Sequence, residues 1–348
     1  MKKVLLNGTV GFRYWHLLDA NADKKERWTG AQPALSYFPE SMKTKTFAFA
    51  ALLGFLALCG CKTDGTDGSK PKQTGSVANA GSTRSESDTV RVVAATYPVA
   101  WLGCELVGAP CKPEALVPPG ASAHSWEPRP SDLQKLDRAT VFVQAGLAFE
   151  EAWVPRFRSS VAGLVVIDAR GGLDLKENEP GHHHGPEESD PHVWSSPRAM
   201  DRLADTLAAR LLEYCPEFRV RLSKNLPAIH SDLLALDTAV RTLLAPFSGK
   251  TFLVNHPGLG YLARDYGLMQ KPLESHGQEL TPVVLWDVRR TAKAQGIKAV
   301  FVQNEYSRRT ADQVAAELGI PAVDLDLLSE APYDSLFMVC ARKMADKL

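Results

Sequence analysis

Two groups of alternating strand and helix patterns most strongly constrain the fold of this chain. In the first group, apolar runs at residues 90–95 and 139–144 have strand character, and a helical pattern at residues 97–107 lies between them. The second group repeats this plan from residue 251 onward. Strands that alternate with helices predict parallel sheets covered on both faces. We therefore expect an α/β fold with two lobes, each a parallel sheet flanked by helices.

One long helical pattern separates the two groups and runs over residues 216–244. It contains no glycine, although Pro227 lies inside it and predicts a kink. A helix of ~28 residues would be ~42 Å long at ~1.5 Å per residue, which suits a long rigid helix joining two lobes. We expect an N-terminal metal-binding lobe over residues 89–195, a helical connection over residues 196–246 and a C-terminal metal-binding lobe over residues 247–348.

Size and charge limit the classes of protein to consider. With 348 residues and 45% apolar content, the chain is long enough for two modest domains at roughly 150 residues each. Basic and acidic residues are equal, at 40 each, so no charge excess indicates a nucleic-acid partner. The sequence also lacks a Gly-x-x-x-x-Gly-Lys-Ser/Thr loop for nucleotide phosphates.

The N-terminal part of the chain has the pattern of an export signal. We interpret residues 1–41 as a mis-assigned N-terminal extension, because a positively charged segment starts at Met42. An apolar run of twelve residues follows, too short to span a bilayer as a helix. It ends in Leu58-Cys-Gly-Cys61, which resembles a bacterial lipobox and predicts a lipoprotein signal peptide over residues 42–61 with lipid on Cys61. The alternative is an ordinary secretory signal with incidental cysteines.

The segment after the signal peptide predicts a flexible tether. Residues 62–88 are rich in Ser, Gly, Thr, Lys and Asp and have almost no large apolar side chain. Four cysteines lie beyond it: Cys104, Cys111, Cys215 and Cys340. An even count in an oxidising compartment favours disulfides, and Cys104 with Cys111 is the nearest pair. The sequence does not fix the pairing, and buried thiols are the alternative.

Histidines are concentrated in residues 181–194, where four of the nine in the chain lie within eleven positions. His182, His183 and His184 stand in a Gly-, Pro- and Glu-rich segment that predicts a loop. His192 follows Asp-Pro, where ordered structure is expected to resume. Imidazole is the commonest protein ligand for zinc. We interpret His192 as a fixed ligand and the triplet as an accessory metal loop. The alternative is an acidic surface loop with incidental histidines.

Four residues at the ends of predicted strands form a candidate metal site. His124, His192 and His256 each follow a strand, at separations of 68 and 64 residues, and Asp326 follows the last strand. These separations exclude a zinc finger, whose ligands come in close pairs. Because ligands of parallel sheets bind at the carboxyl ends of strands, we expect a site built from four loops in a cleft between the lobes. Three imidazoles and a carboxylate suit zinc.

The surroundings of the three histidines resemble one known family. The motifs are Pro-Gly-x-x-x-His124-Ser-Trp-Glu-Pro, Asp-Pro-His192-Val-Trp and His256-Pro-Gly-Leu-Gly-Tyr. In combination they are similar to the zinc/manganese solute-binding proteins of ABC transporters, the ZnuA-like and TroA-like proteins of cluster A-I. The resemblance covers about residues 90–348 and implies that the three histidines are metal ligands. Histidine at the third position resembles the zinc branch, whereas glutamate there is typical of the manganese branch.

The resemblance also implies a function. It indicates an extracytoplasmic component of an ABC metal uptake transporter, which binds Zn²⁺ between its lobes and delivers it to a permease. The permease and its ATPase subunit would be separate chains, and this chain would be a monomer held by its lipid anchor in the periplasm or at the outer face of a bacterial membrane. Mn²⁺ is the alternative cargo, and a surface adhesin or metal chaperone is the alternative use of the same site.

Two positions depart from the pattern of the family. The chain has Asp326-Leu-Leu-Ser where the family often has Asp-Pro-Leu-Gly, so either Asp326 or water is left to complete the site. It has Gln-Asn-Glu305 where the family often has Glu-Pro-Gln. His230 and His276 lie outside the motifs and are interpreted as structural or surface residues.

A zinc hydrolase is the rival from a different class of protein. Catalytic zinc keeps an open coordination position beside a general base, and Glu127 and Glu305 are the acidic residues considered for that role. The sequence contains neither a His-Glu-x-x-His helix nor a Gly-x-Ser-x-Gly elbow. We therefore expect that the protein is not an enzyme.

Overall fold

A computed structural model describes residues 90–168, 170, 173, 190–274 and 281–348, all within one compact unit. The expected signal peptide with Cys61, the tether, His182, His183, His184 and His276 lie outside the described residues. None of the helices in the described part of the chain has the length and apolar composition that a membrane span requires.

The first sheet contains four parallel strands. They are β1 (Val90–Ala94), β2 (Cys111–Ala115), β3 (Val141–Gln144) and β4 (Val165–Asp168). Their order in space is β2-β1-β3-β4. Three helices connect them: α1 (Tyr97–Val107), α2 (Pro130–Asp137) and α3 (Ala148–Ser160). The carboxyl ends of all four strands therefore meet at one edge of the sheet.

Two helices follow the first sheet. Helix α4 (Pro197–Tyr214) starts at Ser196, whose side-chain oxygen accepts hydrogen bonds from the amides of Arg198 and Ala199. Helix α5 (Arg219–Leu244) has 26 residues, which makes it about 39 Å long. It begins three residues later than expected, because Pro216–Phe218 forms a 3-10 turn.

The second sheet repeats the plan of the first. Its strands are β5 (Thr251–Val254), β6 (Met269–Pro272), β7 (Val300–Gln303) and β8 (Ala322–Leu325). The order is β6-β5-β7-β8, and every pairing is parallel. Its helices are α6 (Gly260–Tyr266), α7 (Pro282–Gln295), α8 (Arg309–Leu318) and α9 (Tyr333–Ala345). The expected two-lobe α/β architecture is confirmed.

One continuous apolar core connects the two sheets through the helices between them. It includes Phe142 of β3, Leu236 of α5 and Phe252 of β5, all buried. Helix α9 packs on α5 and also contacts α1, where the rings of Tyr333 and Trp101 are 5.8 Å apart. Burial of these large side chains is the main favourable contribution to folding. The long helix and the last helix therefore support both sheets.

The sequence misplaced one strand and missed another, and both are edge strands. The apolar residues at 115–117 predict a short strand there, but β2 ends at Ala115, and the sequence of β6 has no strand pattern. Neither contains the β-branched residues that identify a strand, and each contains a proline, which an edge strand tolerates. The disulfide between Cys104 and Cys111 ties β2 to α1.

Two other details were settled by the structure. Cys215 and Cys340 are buried thiols, so only the nearest cysteine pair among the four is bridged. Ser131 and Asp132 are residue types that cap helices, but helix α2 already begins at Pro130. Asp132 instead stands in the first turn and accepts a hydrogen bond from the amide of Arg129 at 2.8 Å.

Candidate metal centre

The three histidines from separate loops lie together between the carboxyl ends of the two sheets. His124 follows β2, His192 follows β4 and His256 follows β5. The Nε2 atoms of His124 and His192 are 3.0 Å apart, and those of His192 and His256 are 3.3 Å apart. One ring nitrogen of each histidine lies within 4.8 Å of the other two. His192 and His256 are buried, and His124 is partly exposed.

The His192 ring is oriented by Asp190. The Oδ1 atom of Asp190 lies 2.7 Å from Nδ1 of His192 and accepts the backbone amide of His192 at 2.9 Å. Tyr261 of α6 donates its hydroxyl to the carbonyl of Asp190 at 2.7 Å. The rings of Trp194 and His192 pack in a T-shaped arrangement, with centroids 5.3 Å apart. These contacts fasten the His192 segment to the second lobe and direct Nε2 toward the other histidines.

The His256 ring is oriented by Glu274, just beyond β6. The Nδ1 atom of His256 lies 2.5 Å from Oε1 of Glu274. The His256 amide donates to the side-chain oxygen of Asn255, which also accepts the amide of Gln303 at 2.8 Å. The ring of Tyr306 stacks on the imidazole, with centroids 3.6 Å apart and 11° between the planes. His256 is therefore held by three segments of the second lobe.

The two carboxyl groups favour one neutral tautomer of each ring. In that tautomer Nδ1 of His192 donates to Asp190, Nδ1 of His256 donates to Glu274, and both Nε2 atoms present lone pairs. Two lone pairs at 3.3 Å repel unless a cation lies between them. In a tetrahedral zinc site, bonds of about 2.0–2.1 Å place ligand nitrogens about 3.3 Å apart. The donor set and its spacing therefore fit a divalent metal ion.

Burial raises the pKa of two glutamates at the site. It raises the pKa of Glu274 to about 7. It also raises the pKa of Glu305 to about 7, an effect that Asp326 increases and His192 opposes. The Oε2 atom of Glu305 is buried and has no hydrogen-bond partner in the described part of the chain. A nearby cation would favour the ionised form of both carboxyl groups.

The fourth residue expected from the sequence, Asp326, is not in the group of three histidines. Its carboxylate instead accepts the amides of Leu328 and Ser329, at 3.1 and 2.9 Å, and the Ser329 hydroxyl. These bonds shape the loop after β8. Of the acidic residues considered as a hydrolase base, Glu127 is exposed and Glu305 is buried.

His230 lies outside the group and makes surface contacts. Its Nδ1 atom is 2.6 Å from Asp201, and its Nε2 atom is 3.0 Å from Asp205. The hydrogen bond to Asp201 raises its pKa, burial opposes the shift, and both aspartates add to it. The interpretation of His230 as a structural or surface residue agrees with these contacts.

Sequence reasoning missed several residues that shape the site. Gly258 is one of them, because a Cβ atom there would lie 2.6 Å from Nε2 of Gln303 and 3.2 Å from Cδ2 of His192. Its position in the His-Pro-Gly motif was the available signal. Asp190 was similarly visible in Asp-Pro-His. Glu274 gave no such signal, since it follows an edge strand without a strand pattern.

Comparison with known proteins identifies the family. The family model for the periplasmic component A of the zinc-uptake complex, ZnuA, matches residues 92–348. The chain belongs to this family. It is 30% identical over 266 residues to the high-affinity zinc uptake system protein ZnuA of Bacillus subtilis (strain 168), covering 73% of this chain and 83% of that protein.

Two further ZnuA-family relatives extend the comparison. A crystal structure of a zinc-bound ZnuA deletion mutant has a TM-score of 0.68 and 31% identity, covering 75% of this chain and 98% of that one. The zinc-binding lipoprotein AdcA of Streptococcus pneumoniae serotype 4 is 29% identical over 259 residues, which are 71% of this chain. The match covers 50% of AdcA, so this chain spans about half the length of that relative. The resemblance noted from the three motifs is confirmed.

Removing the carboxylate beside His192 should weaken metal binding without removing a ligand. We expect Asp190→Ala to lower zinc affinity by about 10- to 100-fold, because the imidazole loses its orientation and its fixed proton. Competition titration against a chelator of known affinity measures the change. Asp201→Ala is the matched control, since it removes a carboxylate 2.6 Å from Nδ1 of His230. Equal zinc affinities in the two variants would contradict the orienting role.

Proposed function

We propose that this protein is the extracytoplasmic zinc-binding component of an ABC uptake transporter, with Zn²⁺ as its cargo. The observation that carries the proposal is the convergence of three Nε2 atoms, in two rings whose Nδ1 atoms lie against the carboxyl groups of Asp190 and Glu274. We propose His124, His192 and His256 as the ligands. Imidazole nitrogens suit zinc, whereas manganese favours carboxylate and water oxygens. The ZnuA and AdcA relatives, whose names describe zinc uptake or zinc binding, support this cargo.

The wider assembly is also part of the proposal. A permease and an ATPase on separate chains would receive the metal, since membership of the family implies an ABC transporter. The lipid on Cys61 and the tether would keep the monomeric protein near that permease. The lobes would be residues 89–195 and 247–348, joined by residues 196–246. AdcA, a relative named as a lipoprotein, supports the anchor.

We infer that the protein captures metal rather than catalysing a reaction. Its family is that of a transport component. A zinc hydrolase would need a general base beside an open coordination position. Glu127 is exposed on its loop, and the ring of Tyr306 covers one face of His256. Hydrolysis of ester, amide or phosphate substrates by the zinc-loaded protein would contradict this inference.

Zinc titration tests the proposed function directly. We expect about one tightly bound Zn²⁺ per chain, lost in His192→Ala because a ligand is removed. His230→Ala is the matched control, a histidine substitution outside the group of three, and should bind zinc like the unmodified protein. Affinity should fall as pH drops through the histidine range, because protons compete for Nε2. Retention of stoichiometric zinc by His192→Ala would rule out this site.

For the fourth ligand we favour Glu305 over Asp326, with water as the alternative. The Oε2 atom of Glu305 is buried without a hydrogen-bond partner in the described part of the chain, and the carboxyl group interacts electrostatically with His192. Glu305 lies outside the group of three, so its side chain would turn toward the metal on binding. The Asp326 carboxylate is already engaged by its own loop.

Isosteric amides distinguish these possibilities. Glu305→Gln should weaken zinc binding by about tenfold or more, because a buried anionic ligand is replaced by a neutral amide. Asp326→Asn should have a smaller effect, since the amide oxygen can still accept from the loop. A larger loss in Asp326→Asn would assign the fourth ligand to Asp326, and full affinity in both variants would assign it to water.

The triplet His182, His183 and His184 is proposed as an accessory loop that supplies weak, fast ligands and raises the local metal concentration. Only its composition and its closeness in sequence to His192 support this role. Deletion of residues 181–185 should slow zinc association while the cleft site keeps its zinc. An unchanged association rate and stoichiometry would refute the role.

A further inference from the structure

The segment from His256 to Leu259, here called the His256 loop, is held by the side chain of Gln270 on the edge strand β6. The Oε1 atom of Gln270 accepts the backbone amide of Leu259 at 2.8 Å. Its Nε2 atom donates to the backbone carbonyl of Pro257 at 3.1 Å. These two backbone groups flank Gly258, so one partly buried side chain fixes the loop on both sides of that glycine.

Gly258 has neighbours on its other side that leave no room for a side chain. A Cβ atom there would lie 2.6 Å from Nε2 of Gln303 and 3.2 Å from Cδ2 of His192. Its backbone is not left-handed, so the constraint at this position is space and not conformation. Gln303 is buried, and its backbone amide and carbonyl are both bonded to the side chain of Asn255, at 2.8 and 3.0 Å. The amide of Gln303 is therefore poorly placed to move aside.

We propose that Gln270 and Gly258 form a clamp that sets the spacing between the metal-binding nitrogens of His192 and His256. Gln270 holds the His256 loop from β6, and Gly258 lets the loop pack directly against the His192 ring. The Nε2 atoms of the two histidines are 3.3 Å apart, which a tetrahedral zinc ion requires. The inference rests on the proposed function and deepens it, since both residues position ligands without binding the metal.

Loss of the two hydrogen bonds from Gln270 should weaken zinc binding. Gln270→Met keeps the approximate size of the side chain and removes both bonds, so the His256 loop is no longer fixed to β6. We expect zinc affinity to fall by about tenfold, as when other groups that orient metal ligands are removed. Competition titration of the full chain with a chelator of known affinity measures the change. Gln295→Met, at an exposed glutamine of α7, is the matched control and should keep the unmodified affinity.

A methyl group at position 258 should disturb the same spacing, and a second substitution should relieve it. We expect Gly258→Ala to lower zinc affinity by about tenfold or more, because the His256 loop is pushed away from His192. Adding Gln303→Ala frees the space that the methyl group needs and should restore most of the affinity. Visible absorption of the Co²⁺-loaded protein reports the coordination geometry. It should change in Gly258→Ala and return toward the unmodified spectrum in the double variant.

The outcomes separate the clamp from the proposed function. Zinc binding by the unmodified protein, with unchanged affinity in Gln270→Met and Gly258→Ala, would overturn the clamp and leave the zinc site intact. Failure of Gln303→Ala to restore affinity or the Co²⁺ spectrum in the Gly258→Ala protein would also overturn it. Thermal unfolding of the metal-free variants identifies any that fail to fold, and Gln270→Met tests the clamp if Gly258→Ala is one of them. Absence of zinc binding by the unmodified protein would overturn the proposed function and the clamp together.

Discussion

The architecture of this site depends on one constraint, the repulsion between the Nε2 lone pairs of two neutral imidazoles, His192 and His256. His192 and His256 are both buried, and their Nε2 atoms face each other at 3.3 Å. When both rings are neutral and donate from Nδ1 to their carboxyl groups, two Nε2 lone pairs face each other across the gap. Such an arrangement is unfavourable in the absence of a cation, and the surrounding fold must enforce it. The binding energy of the metal then compensates for the repulsion.

The fold provides this enforcement by bringing strand ends together. Each histidine follows a strand, and the two sheets present their carboxyl ends to the same region of the molecule. A continuous apolar core runs through α4, α5 and α9 and connects the two sheets. Moving the sheets apart would expose these buried side chains and would therefore be energetically unfavourable. The His192 segment is also tied across the lobes, because the Ser196 hydroxyl donates to Asp265 of α6 at 2.5 Å. The site is therefore rigid on the side of His192 and His256 and more accessible at His124.

Much of this arrangement was readable from the sequence. The α/β fold and the family followed from the alternation of strands and helices and from the three histidine motifs. Helix α1 has the bounds of its sequence pattern, residues 97–107, and Pro98 in its first turn marks its start. The ligand roles of the histidines remain predictions that the geometry supports.

The edge strands and the contacts of the acidic residues at the site could not be predicted, because they depend on residues distant in the sequence. The edge strands β2 and β6 are stabilised by pairing with a neighbouring strand and, for β2, by a disulfide rather than by their own propensity. Glu274 follows β6, so its contact with His256 could not be predicted from the sequence either. Asp326 was favoured as a ligand because it follows a strand. Only the structure shows that its carboxylate accepts hydrogen bonds from its own loop, whereas Glu305 is buried and one of its carboxyl oxygens has no hydrogen-bond partner among the described residues.

X-ray absorption at the zinc edge of the zinc-loaded protein reports the metal ligands themselves. We predict a four-coordinate ion with three imidazole nitrogens at about 2.0–2.1 Å, identified by outer-shell scattering from the rings, and one oxygen. A first shell containing sulfur at about 2.3 Å, or one with fewer than two imidazoles, would contradict it.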